Sequence, residues 1–201
     1  MKERIEIRLC GFGGQGIVLM GLVLGEAAVR DGLWAAGSNS YGAQARGSAC
    51  QSEVVLSRAP VDYPRVLAPD LLVALSQEAY ERYVIDLQKE GVAVYDAGLV
   101  KPRGGLPQPH IPVDATRTAV EGLSQKQVAN MVMLAAVAAL TGIVSQKALL
   151  GAALDAVPAR LREINQRALE AGFRLGESAR EGLSYPLPDW TLCEASARAD
   201  A

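Results

Sequence analysis

Ile5-Glu6-Ile7-Arg8-Leu9-Cys10-Gly11-Phe12-Gly13-Gly14-Gln15-Gly16, followed at once by Ile17-Val18-Leu19-Met20, decides how this chain folds. The apolar run Ile5–Cys10 reads as a strand. Ile17–Val29 is long, apolar and free of proline, and reads as a buried helix. Gly11-x-Gly13-x-x-Gly16 lies between them. Glycines there let the backbone turn sharply, let a ligand approach the main chain and let helix pack closely on strand. The free N–H groups at such a helix start favour an anion, usually a phosphate.

A dinucleotide site adds an acidic residue about 20 positions further on, at the end of the second strand, to hold a ribose hydroxyl. Leu33-Trp34-Ala35-Ala36-Gly37-Ser38-Asn39-Ser40-Tyr41 contains none, and Asp31 precedes that strand. The fingerprint is incomplete for NAD. A tight turn used for packing and a phosphate site both stay open.

Outward from this turn, Leu33–Ala36 reads as a short second strand and residues 37–48 as a loop of small and polar residues. Cys50–Leu56 alternates as a half-buried strand. It follows a loop where a helix would otherwise stand, which predicts one antiparallel member. Asp70–Leu75 and Val92–Tyr95 are near-continuous apolar runs suited to a sheet covered on both faces. Between them Ser76 caps a helix through about Gln88, with Glu78 and Glu81 in its first turns. His110–Asp114 predicts a further strand, its Pro112 favouring an edge. Three helices close the fold. The first starts at Ser124, runs to about Leu140 and is apolar nearly all round, hence buried. The second is Ser145–Ala156, stopped by Pro158, and the third, Arg160–Leu175, is amphipathic. Gly176 then ends the helical part, and the tail Ser184–Ala201 reads as extended, lying on a partner or frayed. The expected fold class is α/β, three layers with a mostly parallel, mixed central sheet and a C-terminal helical segment. Residues 1–176 form the domain and 177–201 the tail.

At 201 residues, half of them hydrophobic, the chain can bury one sizeable core without metals or disulfides. A net charge of −2 and no basic run argue against nucleic-acid binding through a basic surface. Cys10, Cys50 and Cys193 are widely spaced, a reduced-compartment pattern that gives no zinc or iron–sulfur framework. No signal sequence opens the chain, and Val128–Leu140 is shorter than the about 18 residues of a membrane span. These features predict a cytoplasmic protein with no membrane span.

Catalytic chemistry is sparse. The single histidine, His110, has no partner motif and reads as a loop or strand residue. No nucleophile elbow and no zinc-spaced His/Glu pair is present. Asp96 ends a strand, where an aspartate usually caps a turn. This is not the sequence of a complete catalyst.

The ordered set Gly11-Phe12-Gly13-Gly14-Gln15-Gly16, Ser40-Tyr41-Gly42-Ala43-Gln44-Ala45-Arg46-Gly47-Ser48-Ala49-Cys50, Glu53–Ser57, Val61-Asp62-Tyr63-Pro64, Asp70–Tyr80 and Val128-Ala129-Asn130-Met131 resembles the gamma subunit of the 2-oxoacid:ferredoxin oxidoreductases. The resemblance spans about residues 4–176 and is strongest to the stand-alone gamma subunits acting with 2-oxoglutarate. Pyruvate, branched-chain, indolepyruvate and phenylglyoxylate relatives share the domain. Ala43-Gln44 stands where Pro-Glu is frequent, and Arg46-Gly47-Ser48 where a second glycine is usual, which weakens the choice of acid.

That resemblance implies a non-catalytic place in an assembly. In the family, alpha and beta subunits carry thiamine diphosphate, magnesium and the iron–sulfur cluster, a ferredoxin-like delta subunit can join them, and ferredoxin accepts the electrons. The 2-oxoacid becomes acyl-CoA and CO2. No cofactor is expected on this chain alone, though contact with coenzyme A is one reading of its loops. Gly11, Gly13, Gly14, Gln15 and Gly16, with Ser40, Tyr41 and Arg46, would edge a crevice at the strand C-termini. It would receive a phosphate-bearing group or pack on the alpha subunit. Arg46 could fasten an anion bidentately or stand solvated, and Tyr41 could offer an interface ring or fill the core. The competing readings are a free-standing nucleotide-binding α/β protein and an adaptor without a small-molecule role.

Overall fold

The computed structural model describes residues 2–41, 49–190 and 192; Arg46 and the rest of residues 42–48 lie outside the described residues, and of Tyr41 only the backbone is described. The strands are β1 (Arg4–Phe12), β2 (Trp34–Tyr41), β3 (Ala49–Ser57), β4 (Leu71–Ala74), β5 (Val92–Asp96) and β6 (His110–Val113). The helices are α1 (Ile17–Arg30), α2 (Gln77–Tyr83), α3 (Ala115–Arg117, a single turn), α4 (Ala129–Thr141), α5 (Gln146–Ala156) and α6 (Arg162–Glu181). The sheet order is β2-β3-β1-β4-β5-β6. β1, β4, β5 and β6 run parallel, and β3 is antiparallel to both its neighbours. The mixed α/β sheet with one antiparallel member is therefore as the sequence predicts. Pro112 sits on edge strand β6, where its missing N–H costs no inner ladder bond.

Alternation along β1 sorts the two faces. Ile5, Ile7 and Leu9 join the larger core with α1, α4, α5 and α6, while Cys10 joins the smaller one under α2. Arg8 points to the α2 side as well. Its guanidinium donates to Glu53 Oε1 (2.9 Å), Asp86 Oδ2 (2.8 Å) and the Val66 carbonyl (2.7 Å), and lies 5.2 Å from the centre of the Tyr83 ring. Glu53 stands directly opposite Arg8 in the β1–β3 ladder.

Helix α4 is buried along its whole length, the consequence of an all-apolar surface. It is enclosed by α1, α5 and α6. The approach of α6 is closest at Gly172 and Gly176. A Cβ at 172 would fall inside contact distance of the Val132 carbonyl and 2.7 Å from Ala135 Cβ; one at 176 would press on the Ala136 backbone, 2.9 Å from its carbonyl carbon.

Four expectations need correction. β2 runs to Tyr41 rather than ending at Ala36, because pairing of Gly37, Ser38 and Asn39 with β3 overrides their poor strand propensity. Ser40 and Tyr41 thus stand on a strand. Helix α2 stops at Tyr83 and a 3-10 turn, Val84–Asp86, follows where a helix to Gln88 was expected. Ser124 adopts φ +55° and starts no helix; a 3-10 turn, Lys126–Val128, leads into α4. Gly176 is no stop signal, since α6 continues to Glu181, and the glycine serves contact with α4. The chain then returns on its own core, where Trp190 and Leu192 are buried and Arg58 Nε donates to the Leu192 carbonyl (2.8 Å).

Replacing Gly172 by alanine gains helix propensity of about 1 kcal/mol but forces a methyl into backbone. Overpacking should win, with a net loss of about 1–3 kcal/mol and a melting temperature lower by about 5 °C. Gly104, whose Cβ would meet nothing within 4 Å, is the control; Gly104→Ala should stay within about 0.5 kcal/mol. Equal melting curves for the two variants would refute the close-contact account.

Candidate ligand or interface crevice

β1 leads into α1 on one face of the sheet and its parallel neighbour β4 leads into α2 on the other. Adjacent strands whose helices part in this way leave a crevice at their carboxyl ends, the usual ligand position in open α/β sheets. The glycine turn sits there. Gln15 closes the floor: its side chain accepts from Phe12 N (2.6 Å) and donates to the Leu75 carbonyl (2.8 Å), linking the ends of β1 and β4. Its amide is thereby committed to the protein.

The glycines of the turn do different work. A Cβ on Gly11 would meet Gln15 Oε1 at 2.5 Å and Ile17 Cδ1 at 2.8 Å, so this position is about packing. Gly16 caps α1 with φ +76°, and a Cβ there would strike the Asn130 amide. Gly13 lies in the turn itself. Gly14, at φ +99°, has nothing within 4 Å of its Cβ position and is the open one. A cavity of about 190 Å³ lies beside it, bounded by Gly14, Gln15, Leu75, Thr116, Lys126 and Asn130. Lys126 is the only charged residue among its lining. Helix α1 starts beside this cavity with no side-chain cap and no acid in its first turn.

Ser40 is not part of this cavity. It is exposed near the end of edge strand β2, opposite Gln51 of β3, with β3 lying between β2 and β1. It shares the sheet's carboxyl edge with the glycine turn. Lys126 was not singled out from the sequence, and Asn130 was quoted only within the run Val128-Ala129-Asn130-Met131, because nothing local places α4 beside residues 14–16.

Other candidates are accounted for by structure. Asp96 accepts from Thr116 N (2.7 Å) and Gly98 N (3.0 Å), tying the chain after β6 to the turn after β5. His110 Nδ1 meets the Gln108 carbonyl (2.7 Å), which can only accept, so Nδ1 carries the proton and Nε2 accepts from Tyr80 (2.9 Å). Asp31 accepts from Ser145 N and Oγ, binding the end of α1 to the start of α5 and away from the crevice. Among the described residues no three His, Cys, Asp or Glu side chains converge, and no helix is long and apolar enough to cross a membrane.

Burial pushes the Cys10 thiol well above its ordinary range, only partly offset by nearby Arg8, and burial also raises Cys50. A raised pKa means less thiolate at a given pH. At pH 8 iodoacetamide should leave both unmodified in the folded chain and label both after denaturation, read by mass spectrometry. Fast labelling of Cys10 in the native protein would contradict this.

A family model described as pyruvate ferredoxin/flavodoxin oxidoreductase matches residues 6–175. The chain is 44% identical over 182 residues to the 2-oxoglutarate synthase subunit KorC of Methanocaldococcus jannaschii, covering 88% of this chain and 96% of that one. Among solved structures it is similar to the keto/oxoacid ferredoxin oxidoreductase gamma subunit from Geobacter sulfurreducens PCA, with TM-score 0.80, 40% identity, and coverage of 89% of this chain and 99% of that one. It is also similar to the 2-oxoglutarate:ferredoxin oxidoreductase from Magnetococcus marinus, solved with 2-oxoglutarate, coenzyme A and succinyl-CoA bound. There the TM-score is 0.81 at 25% identity, with coverage of 94% of this chain and 33% of that longer one.

Proposed function

The chain belongs to the pyruvate ferredoxin/flavodoxin oxidoreductase family, and from that premise we propose that it is the gamma subunit of a 2-oxoacid:ferredoxin oxidoreductase acting on 2-oxoglutarate. The carrying observation is the near full-length likeness to a 2-oxoglutarate synthase subunit. The assembly would decarboxylate the 2-oxoacid oxidatively, releasing CO2, passing two electrons to ferredoxin and leaving the acyl group on coenzyme A. Such an enzyme works with thiamine diphosphate, magnesium and an iron–sulfur cluster. The described residues do not fit them: Cys10 and Cys50 face opposite sides of the sheet and no acid–histidine cluster accompanies them. In this reading those groups belong to alpha and beta subunits in the cytoplasm, and a ferredoxin-like delta subunit completes the set. This chain contributes no catalytic residue.

Its own part is to present the crevice. The open Gly14, the uncapped start of α1 and Lys126 make the glycine turn suited to one anionic group, which supports contact with a phosphate of coenzyme A. Arg46 and the edge at Ser40 and Tyr41 are assigned to the same ligand or to the alpha subunit. A packing role is supported by Leu22, Val29 and Trp34, large apolar side chains exposed on α1 and at the start of neighbouring β2.

The test is anaerobic purification of the tagged chain from its own cells. Coenzyme A-dependent dye reduction with 2-oxoglutarate well above that with pyruvate is expected, together with brown co-purifying subunits. Preference for pyruvate would displace the proposed acid. A colourless, inactive single chain from cells whose untreated extract is active would turn the reading toward a free-standing nucleotide binder. Arg46→Ala should weaken coenzyme A in KM or reduce assembly; no change in either removes the role given to that loop.

A further inference from the structure

The segment after α6 crosses the C-terminal end of α4 and roofs a cavity of about 330 Å³. α4 is 13 residues long, so this cavity lies about 20 Å from the glycine turn, at the helix's other end. Its size falls at the lower end of the range of small-molecule sites, about 300–1,000 Å³. Leu187 and the neighbouring prolines give it apolar walls.

Three of its side chains, those of Arg180, Tyr185 and Trp190, carry donors. Trp190 forms part of the lining, is 1% exposed, and its Nε1–H is a buried donor with no acceptor. Such a group costs about 1–3 kcal/mol when left unmet, and in a native protein it calls for an explanation. Arg180, from the last turn of α6, brings a guanidinium engaged in no ion pair or hydrogen bond among the described residues. Tyr185, partly exposed, adds a hydroxyl that can donate, and burial raises its pKa. Asp189, the one acid in the lining, is engaged in an interaction of its own. Thr141 already donates to the Val137 carbonyl (2.6 Å).

We propose that this cavity binds a small organic carboxylate with an apolar body. A carboxylate offers two acceptor oxygens in the plane that a guanidinium fork matches. One such group meets Arg180 and supplies the acceptor that the Trp190 indole lacks, while the carbon skeleton rests on the leucine and proline walls. Occupancy ties the C-terminal segment to α4 and α6. The proposal does not depend on the reading of the glycine turn, which lies at the far end of the domain.

The full-length chain carries two tryptophans, Trp34 and Trp190. Trp34 is 53% exposed, so Trp34→Phe leaves the fold intact and one indole N–H signal in a nitrogen–proton correlation spectrum. Hexanoate is the probe, with hexanol matching its apolar body and inorganic phosphate its charge. Saturable downfield movement of the Trp190 signal with hexanoate, absent with hexanol and phosphate, is expected. Arg180→Met should weaken hexanoate by about tenfold or more, the loss of one charge-assisted contact. Arg180→Lys, which keeps the charge without the fork, should fall between. A signal unmoved by hexanoate, one moved equally by hexanol, or one indifferent to both Arg180 variants would overturn the proposal.

Discussion

The contact on which most of this structure depends is backbone against backbone, where Gly172 and Gly176 of α6 meet the carbonyl face of α4 at Val132 and Ala136. Residues four apart on one helix meet residues four apart on the other, so the two axes can close to a distance that any side chain would prevent. With α6 seated so near, α4 has no solvent-facing side, and every one of its residues is buried. The first turn of α4 is then fixed in depth, and Asn130 is held against Gly16. Gly16 is consequently constrained twice, by its left-handed backbone and by its neighbour. A helix contact formed by residues more than 150 positions along the chain thus sets the shape of the turn near the N-terminus.

The other face is pinned by charge. Arg8 and Glu53 are each about 5% exposed, and such a buried pair adds little net stability because both ions must leave water. Its value is in register. Arg8 lies opposite Glu53 in the ladder, and a one-residue slip of β3 would set Arg8 against Ser52 or Val54 and turn Glu53 to the apolar α1 face. A buried ion without its partner costs several kcal/mol, far more than the slip could recover elsewhere. Asp86 and the Val66 carbonyl complete the guanidinium's partners, so the same arginine also fixes the turn after α2 and the chain between β3 and β4.

What could be read from the sequence was what is decided locally. The strand–glycine–helix opening, the apolar runs of β4 and β5, the all-round hydrophobicity of α4 and the edge position marked by Pro112 each follow from neighbours within a turn or two. The glycine turn's place at the strand ends follows from that same alternation. The misreadings share a different cause. Gly37-Ser38-Asn39 looks like loop until β3 pairs with it. Gly176 looks like a helix end until α4 is seen beneath it. Asp31, which by sequence could be judged only as misplaced for a ribose, proves to fasten α5 to α1. Asn130 could be quoted only within the run Val128-Ala129-Asn130-Met131, and no feature near it in the chain places it beside Gly16.

The crevice itself limits what can occupy it. Gly11 has no room, Gly16 is closed by Asn130, and Gln15 has both ends of its amide bonded to the protein. Gly14 and Lys126, with Thr116 and Gln127, line the open space, which is about 190 Å³. This is below the about 300 Å³ at which pockets begin to enclose a drug-sized ligand, and far too small for a dinucleotide. In the proposed function it takes one anionic group, a phosphate or a carboxylate side chain. A larger ligand can therefore place only an end here, with most of its body outside this chain. A free-standing nucleotide site would need walls that the described residues do not supply, whereas a subunit that closes its crevice against a neighbour would not.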